Sequence, residues 1–156
     1  MNRNNSTNRF RLSLVLPCFN EKDNISNTIR SCQEWMNEAG IGGEIIVVND
    51  GSTDGTGQVL DNLKNELKFK KVSFAANKGY GAAVRAGCDA ASEELIAFMD
   101  SDGQFDSRDF NLLISQLGQY EVVVGRRRKR ADPVMRKLNA KLFGLLSWLV
   151  LGVWVR

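Results

Sequence analysis

Five short apolar runs, each followed by a polar or glycine-bearing turn, alternate with segments whose apolar residues recur at helical spacing. This alternation constrains the fold more than any other feature of the 156 residues. Residues 12–16 form the first run, stopped by Pro17, and Pro17-Cys18-Phe19-Asn20-Glu21 reads as the loop after it. Asp23 or Asn24 can cap a helix that carries Ile25, Ile29, Cys32 and Met36 on one side and ends near Gly40. Residues 44–48 are a second strand, β-branched and suited to burial on both faces. A turn dense in caps and glycines, 49–56, leads into a helix over 56–67 with Val59, Leu60, Leu63 and Leu67 together. A weaker third strand, 71–75, precedes Asn77-Lys78-Gly79-Tyr80-Gly81 and an alanine-rich helix, 82–91, whose small residues permit close packing on a sheet. The fourth strand follows, then a helix over 107–117 and a fifth strand over 120–124. Such an order means βαβ units and a mainly parallel sheet with helices on both faces. Right-handed crossovers then bring the loops after strands one, two and four to a single rim, a layout suited to binding a nucleotide.

The fourth strand carries the strongest chemical signal. In Ile96-Ala97-Phe98-Met99-Asp100-Ser101-Asp102-Gly103-Gln104-Phe105-Asp106 an apolar run ends in two carboxylates at i and i+2. Carboxylates that close repel one another unless a cation lies between them. A hard divalent ion, Mg²⁺ or Mn²⁺, completed by phosphate oxygens of a substrate, meets that need. Asp106 is read differently, as the N-cap of the helix from Ser107.

Composition removes several classes of function. No histidine occurs, which rules out a histidine base, a Ser-His-Asp triad and histidine metal ligands. Cys18, Cys32 and Cys88 are odd in number and lack C-x-x-C spacing, so neither a disulfide framework nor a zinc site is expected; a reducing cytosol suits them. A net charge of +3 gives no case for nucleic acid as a partner. The charge is concentrated in Arg126-Arg127-Arg128-Lys129-Arg130. Residues 1–11 are polar and asparagine-rich, with no apolar core of a signal peptide, and read as a flexible tail.

Beyond Gly125 the pattern changes, and residues 131–156 read as a separate region opened by the basic loop and Asp132-Pro133. Residues 142–155 contain no charge and include Trp148 and Trp154, too short a run for a confident membrane span. Two expectations stand for this segment. It is a helix buried against the sheet or a partner element, or an interfacial helix with Arg136, Lys137 and Lys141 toward lipid headgroups.

A dinucleotide fold requires G-x-G-x-x-G after the first strand, where Pro17-Cys18-Phe19-Asn20-Glu21 has no glycine, and G-x-x-x-x-G-K-[ST] is absent. Gly79-x-Gly81 permits close backbone approach to a phosphate, and Asp50 fits a ribose-binding acid. Asp100-Ser101-Asp102-Gly103 superficially resembles the D-x-D-G of haloacid-dehalogenase-type phosphohydrolases. That motif belongs on the first strand and is followed by Thr or Ser, whereas here it lies on the fourth and Gln104 takes the hydroxyl position.

Taken in order, Leu16-Pro17-Cys18-Phe19-Asn20-Glu21, Val48-Asn49-Asp50-Gly51-Ser52-Thr53-Asp54-Gly55-Thr56, Asn77-Lys78-Gly79-Tyr80-Gly81-Ala82-Ala83, Met99-Asp100-Ser101-Asp102-Gly103-Gln104-Phe105 and Val124-Gly125-Arg126 resemble the family 2 glycosyltransferases of GT-A fold. Within these the chain is similar to the polyprenyl-phosphate branch, the one that includes dolichol-phosphate mannose synthases. The resemblance implies a nucleotide-sugar-binding core over residues 12–130. In it Pro17, Phe19, Glu21 and Asp50 hold the base and ribose, with Lys78 and Gly79 also on the donor. Asp100 contacts ribose or metal, Asp102 binds the metal and acts in catalysis, and Gln104 is a further ligand. Arg126 and Arg130 bind phosphate of the donor or of the lipid acceptor, for which a guanidinium fork is suited. Phe19 stands where the family usually has tyrosine, which keeps the stacking face and loses a hydroxyl.

The implied activity is transfer of a sugar from GDP-mannose or a UDP-sugar to a polyprenyl phosphate, on the cytoplasmic face of a membrane. An acceptor that is already ionised needs little or no general base, in keeping with the lack of histidine. Members of the family continue past this point with another strand and acceptor-side elements, so the chain is expected to be a truncated copy. A non-catalytic nucleotide-sugar-binding module is therefore a second expectation, with self-association through the apolar segment.

Overall fold

The computed structural model describes residues 10–125. Two compact units divide between Ser115 and Gln116. In the first, four parallel strands form one sheet in the order β3-β2-β1-β4, built from β1 (Arg11–Cys18), β2 (Gly42–Asn49), β3 (Lys70–Ser73) and β4 (Leu95–Phe98). The helices are α1 (Ile25–Glu38), α2 (Thr56–Leu63), α3 (Tyr80–Asp89) and α4 (Phe110–Ile114), the last preceded by a 3₁₀ turn at Ser107–Asp109. The order reverses between β1 and β4. In an open parallel sheet such a reversal is the switch point beside which ligands bind, at the carboxyl ends of the strands.

Strand alternation assigns each face its cover. Leu12, Leu14, Leu16, Ile45 and Val47 point to the face occupied by α1 and α2, where Ile25, Ile29, Cys32, Trp35, Met36, Leu60 and Leu63 bury against them. Val15, Ile46 and Val48 point to the other face, beneath Ala83 of α3. Gly87 is what allows α3 so near: a Cβ built there falls 2.2 Å from Val15 Cγ1. The small residues of this helix thus do what their sequence anticipates. Helix α3 lies over β1 and β2, so Ile96 and Phe98 of β4, on the same face, stay about half exposed.

Several boundaries differ from the sequence reading, each for a physical reason. Strand β1 begins at Arg11, which pairs with Gly42 and bridges Glu93 at 2.7 Å, so the tail expected over 1–11 does not include this residue. The strand also runs through Pro17 rather than stopping there. Pairing of β1 with β4 ends at Val15 and Phe98, so the missing N–H of Pro17 leaves no ladder bond unmade on that side. Helix α3 starts at Tyr80, two residues earlier than expected, because the turn at Gly79 (φ 92°) is already held and its carbonyl receives Ala82 and Ala83 N–H. Helix α2 ends at Leu63 and α4 spans only five residues.

The fifth strand is not formed. Residues 116–125, in the second unit, make a turn with an isolated bridge between Leu117 and Tyr120, and Tyr120, Val122 and Val124 are exposed. A β-branched run becomes a strand only with a ladder partner and cover for its side chains. The apolar segment 142–155 lies outside the described residues, and no helix among those described is long and apolar enough to cross a membrane.

Candidate active site at the carboxyl rim

Every loop leaving the carboxyl ends of the strands is tied to its neighbour by side chain–backbone hydrogen bonds. After β1, Asn20 takes a left-handed backbone (φ 57°), which asparagine tolerates, and its side-chain oxygen accepts Thr53 N–H at 2.9 Å. Its own N–H goes to Ser52 Oγ at 3.0 Å. Next, Glu21 N–H donates to Thr56 Oγ1 and Lys22 N–H to Asp54 Oδ2. Thr56, its side chain and N–H both bonded to Asp54, holds that carboxyl below the usual range. The β1–α1 and β2–α2 loops are thereby a single laced surface.

Asn24, expected as a possible cap of α1, occupies the cap position without capping. Its side-chain amide donates instead to the Glu21 carboxylate at 2.9 Å. Glu21 is partly exposed on this surface and Phe19 beside it is 44% exposed, leaving a ring face available for stacking.

Asp50, at the end of β2, is 3% exposed, and its two carboxylate oxygens accept Lys78 N–H at 2.7 Å and Gly79 N–H at 2.9 Å. The loop before α3 is therefore shaped by Asp50. The Lys78 ammonium lies 4.6 Å from the centroid of the Phe74 ring, a cation–π contact. Gly51 (φ 67°) passes the same loop so closely that a Cβ there would sit 2.3 Å from the carbonyl carbon of Ala76.

Past β4 the in–out alternation continues beyond the last strand residue. Met99 and Ser101 are buried, and Asp100 and Asp102 are half-buried on the opposite side. Burial first, and then the neighbouring Asp100 carboxylate, push the Tyr80 phenol up to about 12. Asp102 Oδ1 accepts Gln104 N–H at 2.9 Å, and Asp106 caps the next turn by accepting Arg108 N–H, as its position in sequence anticipates. Gln104 itself is exposed.

Two carboxylates one residue apart and half-buried on the same side of the chain are a donor set that fits a hard divalent ion keeping water or substrate oxygens in its remaining positions. Among the described residues no cluster of three or more acidic or thiol groups forms a self-sufficient metal site. Burial, reinforced by Glu21 and Asp54, pushes the Cys18 thiol up to about 12, which disfavours its thiolate. A cavity of about 280 Å³ lined by Gln33, Met36, Gly42 and Lys68 lies at the amino end of β2 and borders none of these groups.

The structure thus gathers Pro17, at the end of β1, with Phe19, Glu21, Asp50, Lys78, Gly79, Asp100, Asp102 and Gln104, on the loops that follow, at the carboxyl rim of one sheet. Arg126 and Arg130 lie outside the described residues. Sequence reasoning did not single out Tyr80, Ser101 or the lacing role of Asn20. Only the capping pattern Asp54-Gly55-Thr56 offered a local signal for any of that lacing.

A four-stranded parallel sheet with helices on both faces and acids at its switch point defines a nucleotide-binding α/β fold of the GT-A type. Solved structures share it. Mannosyl-3-phosphoglycerate synthase from Rubrobacter xylanophilus aligns over 87% of this chain and 47% of its own, with a TM-score of 0.64 at 20% identity, a likeness of fold. Glucosyl-3-phosphoglycerate synthase from Mycobacterium tuberculosis, solved with Mn²⁺, uridine diphosphate and phosphoglyceric acid, aligns over 72% of this chain and 40% of its own. Its TM-score is 0.58 at 26% identity. The chain belongs to glycosyl transferase family 2, whose sequence profile matches residues 13–151. Among curated relatives, the undecaprenyl-phosphate 4-deoxy-4-formamido-L-arabinose transferase of Proteus mirabilis is 29% identical over 143 residues. That match covers 87% of this chain and 43% of the relative, so the chain spans less than half the length of the protein it matches.

Proposed function

We propose that residues 12–130 form the donor-binding core of a glycosyltransferase that moves a sugar from a nucleotide-sugar to a polyprenyl phosphate. The observation that carries this reading is the meeting, at one rim, of a stacking ring with a carboxylate (Phe19, Glu21), a loop held by Asp50, and the acid pair Asp100 and Asp102. The curated relative named above supplies the acceptor class.

On this reading Phe19 stacks on the base, and Pro17, Glu21 and Asp50 line the nucleoside pocket. Lys78 and Gly79 approach the donor from the α3 side. Asp100 and Asp102, with Gln104, hold Mg²⁺ or Mn²⁺. Such an ion, when bound, neutralises the diphosphate and stabilises it as a leaving group. Arg126 and Arg130 serve the phosphates of donor or acceptor. A phosphate oxygen of the acceptor bonds to the anomeric carbon as the bond to the diphosphate breaks and the nucleoside diphosphate departs with the electron pair. The acceptor carries its charge beforehand, so no residue has to remove a proton. A lipid acceptor places the domain at a membrane surface, on its cytoplasmic face where nucleotide-sugars are at hand.

Calorimetric titration with GDP, UDP, GDP-mannose and UDP-glucose, in Mn²⁺ and in chelator, tests the donor site. The expected result is binding of one nucleotide class, strengthened by the ion. Folded protein that binds none of the four refutes the reading. Transfer of labelled sugar from the bound donor to undecaprenyl phosphate then tests the acceptor class.

A further inference from the structure

We infer that Ser101, the residue between the two acids, is a positioning residue that aims Asp100 and Asp102 and registers them against the loop carrying Phe19 and Glu21. The inference rests on the donor-site reading above. Ser101 is 3% exposed, and both its hydroxyl and its carbonyl are engaged by other elements. Its hydroxyl donates to the Pro17 carbonyl at 2.8 Å. Its carbonyl accepts the Thr28 hydroxyl at 3.2 Å, a proton Thr28 shares with the Asn24 carbonyl at 3.1 Å.

The geometry explains why a hydroxyl is wanted here. The β1–β4 ladder closes with Met99 N–H on the Val15 carbonyl at 3.1 Å. The next acceptor on that side of β1, the Pro17 carbonyl, has no strand N–H left to receive. Ser101 Oγ takes that place and extends the register of the sheet by one rung, through a side chain instead of the backbone. Because side chains alternate, pinning Ser101 inward forces both neighbours outward on the same side, where two carboxylates can share one ion. Pro17 is the penultimate residue of β1, just before the loop carrying Phe19 and Glu21, and Thr28 sits in the first turn of α1, so the same two bonds fix the acid loop against both elements that flank that loop. An alanine in place of Ser101 leaves a buried carbonyl without its donor and lets the acid loop swing.

The test is the ion's contribution to nucleotide affinity. Wild type, Ser101→Ala and Thr28→Val are titrated with UDP and GDP in Mn²⁺ and in chelator, with melting midpoints recorded. Expected is a loss of about tenfold in affinity in Mn²⁺ for Ser101→Ala, with under twofold change in chelator, and a smaller loss of the same kind for Thr28→Val. Affinity of Ser101→Ala equal to wild type in Mn²⁺ overturns the inference and leaves the donor site standing. Equal losses in both media also overturn it, because they mark Ser101 as a general packing residue. Absence of binding by wild type itself overturns the donor-site reading, and this inference with it.

Discussion

Replacing Asp50 with alanine is expected to cost the fold about 3 kcal/mol, the lower end of what two charge-assisted hydrogen bonds supply at ~1.5–3 kcal/mol each. Both oxygens of this carboxylate accept backbone N–H groups, from Lys78 and Gly79, at 2.7 and 2.9 Å in a site only 3% exposed. The lower end applies because the loop is at the surface and water reaches part of what is left. Asp50→Asn distinguishes the cause. Its amide oxygen keeps one of the two bonds while its NH₂ faces the other N–H, so about 2 kcal/mol is lost. Urea unfolding followed by far-UV circular dichroism gives the totals. Hydrogen exchange localises the change, with the Lys78 and Gly79 amides losing protection before the rest of α3. Asp50→Ala within about 1 kcal/mol of wild type, with those two amides exchanging as before, refutes the view that Asp50 shapes this loop.

Three further outcomes follow from the structure. Gly87→Ala places a methyl 2.2 Å from Val15 Cγ1 and should destabilise by about 1–3 kcal/mol, most of it recovered in Gly87→Ala/Val15→Ala; no recovery in the double variant argues against that contact. Glu44 is lifted by burial but more than offset by hydrogen bonds from Lys70, Ser13 and Ser92, so its carboxyl is held at about 2. A depressed carboxyl stabilises above its unfolded value, near 4.5, and that stability, about 3 kcal/mol, is lost as pH falls from there toward 2; Glu44→Gln should lack this acid limb in urea titrations, and an unchanged limb refutes the assignment. Asp102→Ala should abolish the Mn²⁺-dependent part of nucleotide binding while leaving the melting midpoint within a few degrees, because Asp102 is half-buried and, among the described residues, is bonded to the local Gln104 N–H rather than to a distant element.

The periodic patterns of the chain were sufficient for the parallel sheet, for the buried stripe of α1 (Ile25, Ile29, Cys32, Met36), for the small-residue contact of α3 and for the Asp106 cap. These are local matters: strand alternation, a 3.6-residue turn and a cap three residues long are written in neighbouring residues. The placing of the site on one rim was legible for the same reason, since parallel strands joined by helices put every outgoing loop on the same side.

What the acids do there was decided by tertiary structure. Asp50 is committed to a loop 28 residues away, Ser101 to a carbonyl 84 residues away and Thr28 to one 73 residues away. No spacing in the sequence reports such partners. Pro17 could remain inside β1 only because β4 is short on that side, and the run 120–124 forms no strand of the described sheet because a strand is made by its neighbours and not by its own residues alone. Local sequence sets which conformation each segment prefers; the partners that satisfy its polar groups come from elsewhere in the chain.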